Sequence, residues 1–358
     1  MTLYKFFWHY LKITYWFYFR KWQIQGEENL PKDAAIIFVV NHQNAFLDAI
    51  IIACSSTHEP WFLTRAGVFN NALARKIFHA FHMMPVYRFR DGVKGLRNND
   101  ITMRICVDLL KNRKSILIFG EGDQSMRYQL RALQKGFARI ALTAQQESNW
   151  NLPLYIVPVG VQYDHYYNFR SRVLVNYGEA FPVDATYQQL QEREFYETLL
   201  DKTRKELIPL MVHIEHEEYK AIEEYLHHHR NKRDLVEQLK HDQAVVANWK
   251  GDLKPEKRKV NYLSLIALLP LHLYTAVNNI LPYLLITWIL NQYVTIEFRG
   301  SLKVGLGIVI VPLFYLLQSA GVHLVFSDWR ITLAYLFTLP FLSILSVDLF
   351  KSATGKLL

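Results

Sequence analysis

Cysteine is scarce, with Cys54 and Cys106 the two in 358 residues. That excludes a disulfide scaffold, and both read as small buried thiols of a reducing compartment. Charged residues make up 20% of the chain against 51% apolar, which excludes a disordered chain. No G-x-S-x-G run occurs, so a hydrolase built on a serine elbow is excluded. No basic-aromatic binding motif stands out, so the net charge of +9 is not assigned to nucleic acid. By length, two or three structural units are expected.

The C-terminal third has hardly any charge inside its apolar runs. Residues 261–290, 304–326 and 331–347 each supply enough apolar length to cross a hydrocarbon core. Glu297, Arg299, Lys303, Asp328 and Arg330 fall between the runs. Pro270, Asn278, Asn279 and Pro282 interrupt the first run, which predicts a break near Asn278-Asn279 and short helices over about 261–277 and 280–296. Four crossings would put Lys254, Lys257, Arg258, Lys259, Arg299, Lys303, Lys351 and Lys356 on one side, and three would split them. The positive-inside rule favours four.

Residues 3–19, LYKFFWHYLKITYWFYF, are interrupted by Lys5, His9 and Lys12. That spacing is i, i+4, i+7, a thin basic stripe on a helix otherwise aromatic and aliphatic, suited to the headgroup region. The alternative is a helix docked on the protein's own core. A cleaved signal peptide is not expected, since the run carries bases and no small-residue cleavage site follows.

Between these ends the pattern alternates. AIIFVV (35–40), WFLT (61–64), SILIF (115–119), YIVPVGVQY (155–163) and RVLVNYG (172–178) read as strands. Helices are expected from DAIIIAC (48–54), over 70–82, from Asn98, Asn99 or Asp100 to about 112, and over 130–146. This predicts an α/β fold, a mixed or parallel sheet flanked by helices. Residues 186–250 are charged and helical, a solvated insert or linker. His213, His216 and His227-His228-His229 are not assigned to a metal, because adjacent histidines on a helix point in different directions and no cysteine is near.

The expected organisation is an interfacial helix over 1–22, the α/β domain over 23–185, the charged helical segment over 186–260 and a transmembrane helical unit over 261–358.

His42 and Asp48 are six apart, so a continuous helix cannot bring them together. They meet if His42 sits on the loop leaving a strand and Asp48 in the first turn of the next helix. The carboxylate then fixes the imidazole tautomer, and the free nitrogen takes a proton from a hydroxyl. Taken singly, this is a loop histidine beside an acidic helix start. Arg65, Arg88 and Arg90 lie near strand ends, and Gly120-Glu121-Gly122 follows SILIF. Ligands of such sheets bind beyond the carboxyl ends of strands.

In order, Asn41-His42…Asp48, Gly67…Arg88, Phe119-Gly120-Glu121-Gly122…Ser125 and Val157-Pro158-Val159 resemble the four blocks of the PlsC-like glycerophospholipid acyltransferases, over roughly residues 30–180. The gap from His42 to Asp48 is one residue longer than usual, Gly120 stands where proline is common and Asp123 where threonine is. The longer gap is similar to that of some glycerol-3-phosphate acyltransferases with added membrane segments. The resemblance implies catalysis by His42 and Asp48, with Asn41, Arg65, Gly67, Arg88, Glu121, Gly122, Ser125 and Pro158 toward the substrates. It implies transfer of an acyl group from acyl-CoA or acyl carrier protein to a hydroxyl of lysophosphatidate, glycerol 3-phosphate or another lysolipid. It implies no cofactor and no metal, with oxyanion donors near Gly67 or in the helix after His42. The expected setting is an integral membrane protein in contact with membrane lipid, its catalytic domain on the cytoplasmic face. The competing reading is a membrane scaffold or transporter whose α/β domain lacks catalysis.

Overall fold

The computed structural model describes residues 3–69, 71–86, 93–230, 233–251, 260–294 and 298–354. Helix α1 (Leu3–Tyr18) leads into β1 (Lys21–Gln25), β2 (Ala35–Val40), α2 (Ala45–Ser55), β3 (Trp61–Arg65), α3 (Ala72–Ala80), β4 (Met83–Val86), α4 (Val93–Lys111) and β5 (Ser115–Phe119). Then come α5 (Gly136–Glu147), β6 (Leu154–Tyr163), β7 (Arg172–Tyr177), β8 (Phe181–Pro182), α6 (Glu192–Leu207), α7 (Tyr219–His229) and α8 (Leu235–Ala247). The C-terminal unit is α9 (Tyr262–Ala267), α10 (Leu269–Tyr293), α11 (Arg299–Phe326) and α12 (Trp329–Ala353).

The sheet has the order β1-β7-β6-β2-β5-β3-β4, with β8 pairing β6 beyond β7. Strands β6, β2, β5, β3 and β4 are mutually parallel, and β7 runs antiparallel to β6. The fold is therefore the expected α/β class with a mixed sheet. A strand covered on both faces reads as a continuous apolar run, and β2 is buried along its whole length. Its side chains alternate between two cores. Ile36, Phe38 and Val40 join a cluster with α2, α7 and α8, whereas Ala35, Ile37 and Val39 join one with α4, α5 and α6.

The charged segment after residue 186 divides between these cores. Phe195, Leu199 and Leu207 of α6 are buried on one side, and Ile222 and Leu226 of α7 and Leu235 of α8 on the other. Helix α5 begins at Gly136, not near residue 130 as expected. Residues 123–135 instead cross the mouth of the sheet, because their backbone is tied to distant groups: Leu130 N–H donates to His213 Nδ1 (3.0 Å) and Tyr128 N–H to the Tyr219 hydroxyl (2.8 Å).

Helix α1 is docked and exposed at once. Tyr15 and Phe19 are buried in the core, whereas Ile13 and Trp16 are 60% and 63% exposed. The Tyr10 hydroxyl donates to the Ile308 carbonyl (2.7 Å), and the Phe17 ring meets Phe341 edge-on at 5.6 Å.

Helices α10, α11 and α12 are each long and apolar enough to cross a membrane. The first apolar run does break, but at Leu268 and not at Asn278-Asn279. Pro270, which lacks an N–H, occupies the first turn of α10. The two asparagines stay helical because their polar groups are satisfied. Asn278 Nδ2 donates to the Tyr274 carbonyl and Asn279 Nδ2 to Thr275 O and Ser343 Oγ, while Tyr315 donates to Asn279 Oδ1 (2.8 Å). Such polar contacts join helices in hydrocarbon. The expected pair of 17-residue spans is thus a 6-residue helix followed by one of 25. Asn261 N–H donates to the Ala353 carbonyl (2.8 Å), so the run starts beside the end of α12. That end is tied to the α/β unit by Arg170, which pairs with Asp348 (2.8 Å), and by Lys351, which donates to the Arg170 carbonyl (3.1 Å).

Candidate active site

The register of the central strands sets the site. Val40 lies opposite Phe119, so His42 and Glu121 both emerge two residues beyond the same edge. Arg65 ends β3 at that carboxyl edge as well.

Asn41 closes the end of β2. Its amide side chain stands in for a peptide unit, donating to the Val161 carbonyl (3.0 Å) and accepting from Val161 N–H (2.7 Å). Fully buried, it serves the strand end rather than a ligand. His42 follows, with its ring stacked on Phe119 at 3.8 Å between centroids and 11° between planes.

Asp48 lies in the first turn of α2 with no exposed surface. Its Oδ2 accepts from His42 Nδ1 (2.9 Å), Gln43 N–H (2.9 Å) and Asn44 N–H (2.8 Å), and its Oδ1 from the Tyr163 hydroxyl (2.7 Å). A carboxylate surrounded by donors fixes the imidazole with its proton on Nδ1, leaving the Nε2 lone pair outward. The His42 side chain is 16% exposed, so that lone pair remains reachable. Burial, followed by the Asp48 charge, pushes the Tyr163 phenol well above its usual range, so it stays a donor.

Ala45, between His42 and Asp48, has a φ of 42°, which is left-handed. The turn at Ala45 lets a carboxylate six residues on swing back to the imidazole. The expectation that these two groups meet across a bend is met.

Glu121, expected toward the substrates, is engaged within the protein. Its Oε1 accepts His42 N–H (2.9 Å), and its Oε2 accepts both the backbone N–H (3.1 Å) and Nε (3.0 Å) of Arg131. With its side chain 2% exposed, it ties the loop of His42 to the 123–135 loop. Gly122 has φ +71°, a conformation that suits glycine, and donates to the Phe119 carbonyl. Gly120 N–H donates to the Val40 carbonyl (3.0 Å), a bond that proline could not make. Ser125 N–H donates to the His42 carbonyl (2.9 Å), closing a ring of backbone contacts around the histidine.

Residues 21–162 match the family model described as Acyltransferase. The match takes in most of the α/β segment and less than half of the chain. Glycerol-3-phosphate O-acyltransferase 2 of Saccharomyces cerevisiae is 32% identical over 113 residues, 31% of this chain and 15% of its own. The chloroplastic 1-acyl-sn-glycerol-3-phosphate acyltransferase BAT2 of Brassica napus is 31% identical over 124 residues, 34% of each chain. The chain thus spans about a third or less of these relatives' lengths. The crystal structure of the 1-acyl-sn-glycerophosphate (LPA) acyltransferase PlsC from Thermotoga maritima aligns with 55% of this chain and 76% of its own, at 19% identity and a TM-score of 0.36.

Within the α/β segment the remaining expected residues are dispersed. Arg65 and Gly67 are exposed at the end of β3. Arg88 and Arg90 lie outside the described residues, just past β4. Pro158 is buried inside β6 opposite Val39 and presents no surface to a ligand. The N–H groups of Gln43 and Asn44, between His42 and α2, are taken up by Asp48. Burial pushes the Cys54 and Cys106 thiols up to about 12, which makes them poor nucleophiles.

Sequence reasoning missed Tyr163, Arg131 and Phe119 as partners of the site. Phe119 and Tyr163 end strand runs at the carboxyl edge, a signal that was present. Arg131 is one arginine among several after Gly122, and only the path of the loop singles it out.

Proposed function

We propose that this chain is a membrane-bound O-acyltransferase that moves a fatty acyl group from acyl-CoA or acyl carrier protein to a hydroxyl of lysophosphatidate. His42 Nε2 takes the proton of the acceptor hydroxyl. The oxygen attacks the thioester carbonyl, the tetrahedral intermediate collapses, and the thiol leaves with the proton returned by His42. Asp48 and Tyr163 keep the imidazole oriented and stabilise its charged form. No acyl-enzyme and no metal are needed. Arg65 and, by its sequence position, Arg88 hold the acceptor phosphate. The exposed 3-10 turn at Gly67 supplies the oxyanion donors.

The observation that carries this reading is the four-donor cage around Asp48, which leaves His42 Nε2 as the open base. Three helices of spanning length, one starting beside Asn44, fit an acceptor delivered from the bilayer. The α/β unit sits at the end of those helices that carries Arg299, Lys303 and Lys351, which supports a cytoplasmic face for it. The yeast relative and the longer His42-to-Asp48 gap favour glycerol 3-phosphate as the second reading for the acceptor.

The test is a product screen by mass spectrometry on the purified chain in vesicles, offering lysophosphatidate, glycerol 3-phosphate and other lysolipids with one acyl-CoA. Phosphatidate from lysophosphatidate is expected. Product from glycerol 3-phosphate alone moves the assignment to that acceptor, and no product from any of them removes the acyltransferase reading.

A further inference from the structure

We propose that the first turn of α11 is a positioning element of the acyl-transfer site. Gly300 and Ser301 hold the strained entrance of α2 and, through it, Asp48 and His42 in working geometry. The kinetic consequence rests on the acyl-transfer reading above; the geometric one does not.

The entrance of α2 needs holding. Asn44 has φ −137° and ψ 52°, and Ala45 has φ 42°. A residue with a Cβ in the left-handed region persists only where its surroundings impose it. The same turn supplies two of the donors to Asp48, the N–H groups of Gln43 and Asn44. A slackened turn would therefore loosen the carboxylate as well as the backbone of His42.

The restraint comes from far along the chain. The Ser301 hydroxyl donates to the Asn44 carbonyl (2.8 Å) and accepts from Leu47 N–H (3.2 Å). It thus bridges the two backbone groups that flank Ala45 and Phe46. Leu47 N–H also reaches the Asn44 carbonyl (3.0 Å), so the hydroxyl reinforces the first closure of the helix. Ser301 is 6% exposed, which limits replacement of its bonds by water.

Gly300 lets this approach happen. A Cβ there would lie 2.7 Å from Asn44 Oδ1 and 3.1 Å from the Tyr166 carbonyl, both at a buried contact. Asn44 is itself moored, its Nδ2 donating to that Tyr166 carbonyl (2.8 Å). Lys303 donates to the Tyr167 carbonyl (3.3 Å), and Arg170 pairs with Asp348 on α12. The helical unit therefore grips one loop of the α/β unit at several points, and the Ser301 bridge is its link to the catalytic turn.

Helix glue alone would change stability; a positioning role changes turnover. The test uses the full chain in vesicles, with Ser301→Ala and Ser301→Thr compared to wild type. Ser301→Ala is expected to lower kcat about tenfold, the loss of roughly one net hydrogen bond. KM for acceptor and donor should stay within twofold. Amide exchange should quicken in peptides spanning 44–47 and not elsewhere in the α/β unit. Ser301→Thr, which keeps the hydroxyl, should restore both readouts. Wild-type kcat and exchange in Ser301→Ala would overturn the proposal. So would a kcat loss that Ser301→Thr does not restore, or an exchange increase spread across the whole sheet. If the wild-type chain transfers no acyl group, the acyl-transfer reading fails, and exchange at 44–47 alone decides whether the clamp exists.

Discussion

Tyr163 and Asp48 form a buried pair, the phenol donating to Oδ1 at 2.7 Å while His42 holds Oδ2. The phenol comes from the end of β6 and the carboxylate from the first turn of α2, so the bond pins the helix to the sheet. Burial and the neighbouring carboxylate keep the phenol protonated far into the alkaline range. Tyr163→Phe removes one donor and leaves the ring. A hydrogen bond to a charged group contributes about 1.5–3 kcal/mol. The expected outcome is a kcat lower by about tenfold or more, with substrate KM values little changed, in a steady-state assay.

Asp48→Asn is the harsher change. An amide cannot accept the three hydrogen bonds that converge on Oδ2 and keep its own N–H groups satisfied. A loss of at least about a hundredfold in kcat is expected, in the range found when such an orienting carboxylate is replaced. Steady-state kinetics on the membrane fraction measures it. A loss below threefold would show that the carboxylate does not orient the base.

Glu121→Gln separates positioning from substrate contact. Glu121 is held by His42 N–H and by Arg131, so the account expects a fall in kcat with acceptor KM within twofold. Arg131→Ala should follow the same pattern. A rise in acceptor KM with kcat intact would return Glu121 to the ligand contact that its motif suggests.

Stability should depend on pH through His227 of α7. His227 is stacked on His165 at 4.5 Å. Burial first, then the charges of Arg230, His165 and His228, hold its imidazole down at about 3. Unfolded, the group titrates near 6.5. Between these values the unfolded chain binds more protons, so stability falls as pH drops through that window and is complete above about 6.5. His213, also lowered by burial and by Arg204, acts in the same direction. Thermal melts in detergent from pH 7.5 to 4.5 should show a falling midpoint, and His227→Gln should flatten the fall.

The legible parts of this molecule are those fixed by short-range pattern. AIIFVV and SILIF are buried strands because β-branched runs of that length pack on both faces of a sheet. Their ends then put His42 and Glu121 at one edge. What was not legible depends on partners far away in the chain. Asn279 looked like part of a helix break because its partners on the other helices, Ser343 and Tyr315, lie 36 residues or more away. Glu121 looked like a ligand contact because Arg131 carries no motif. Ser301 carries no local signal, since its meaning lies 257 residues upstream at Asn44.

The central claim is that His42 Nε2 is the base of an acyl transfer. The most direct measurement compares wild type with His42→Ala, each reconstituted in vesicles with acyl-CoA and lysophosphatidate, the acylated product counted by mass spectrometry. The account predicts product from the wild type, none above background from the variant, and equal membrane association of both. Equal product formation by His42→Ala would contradict it.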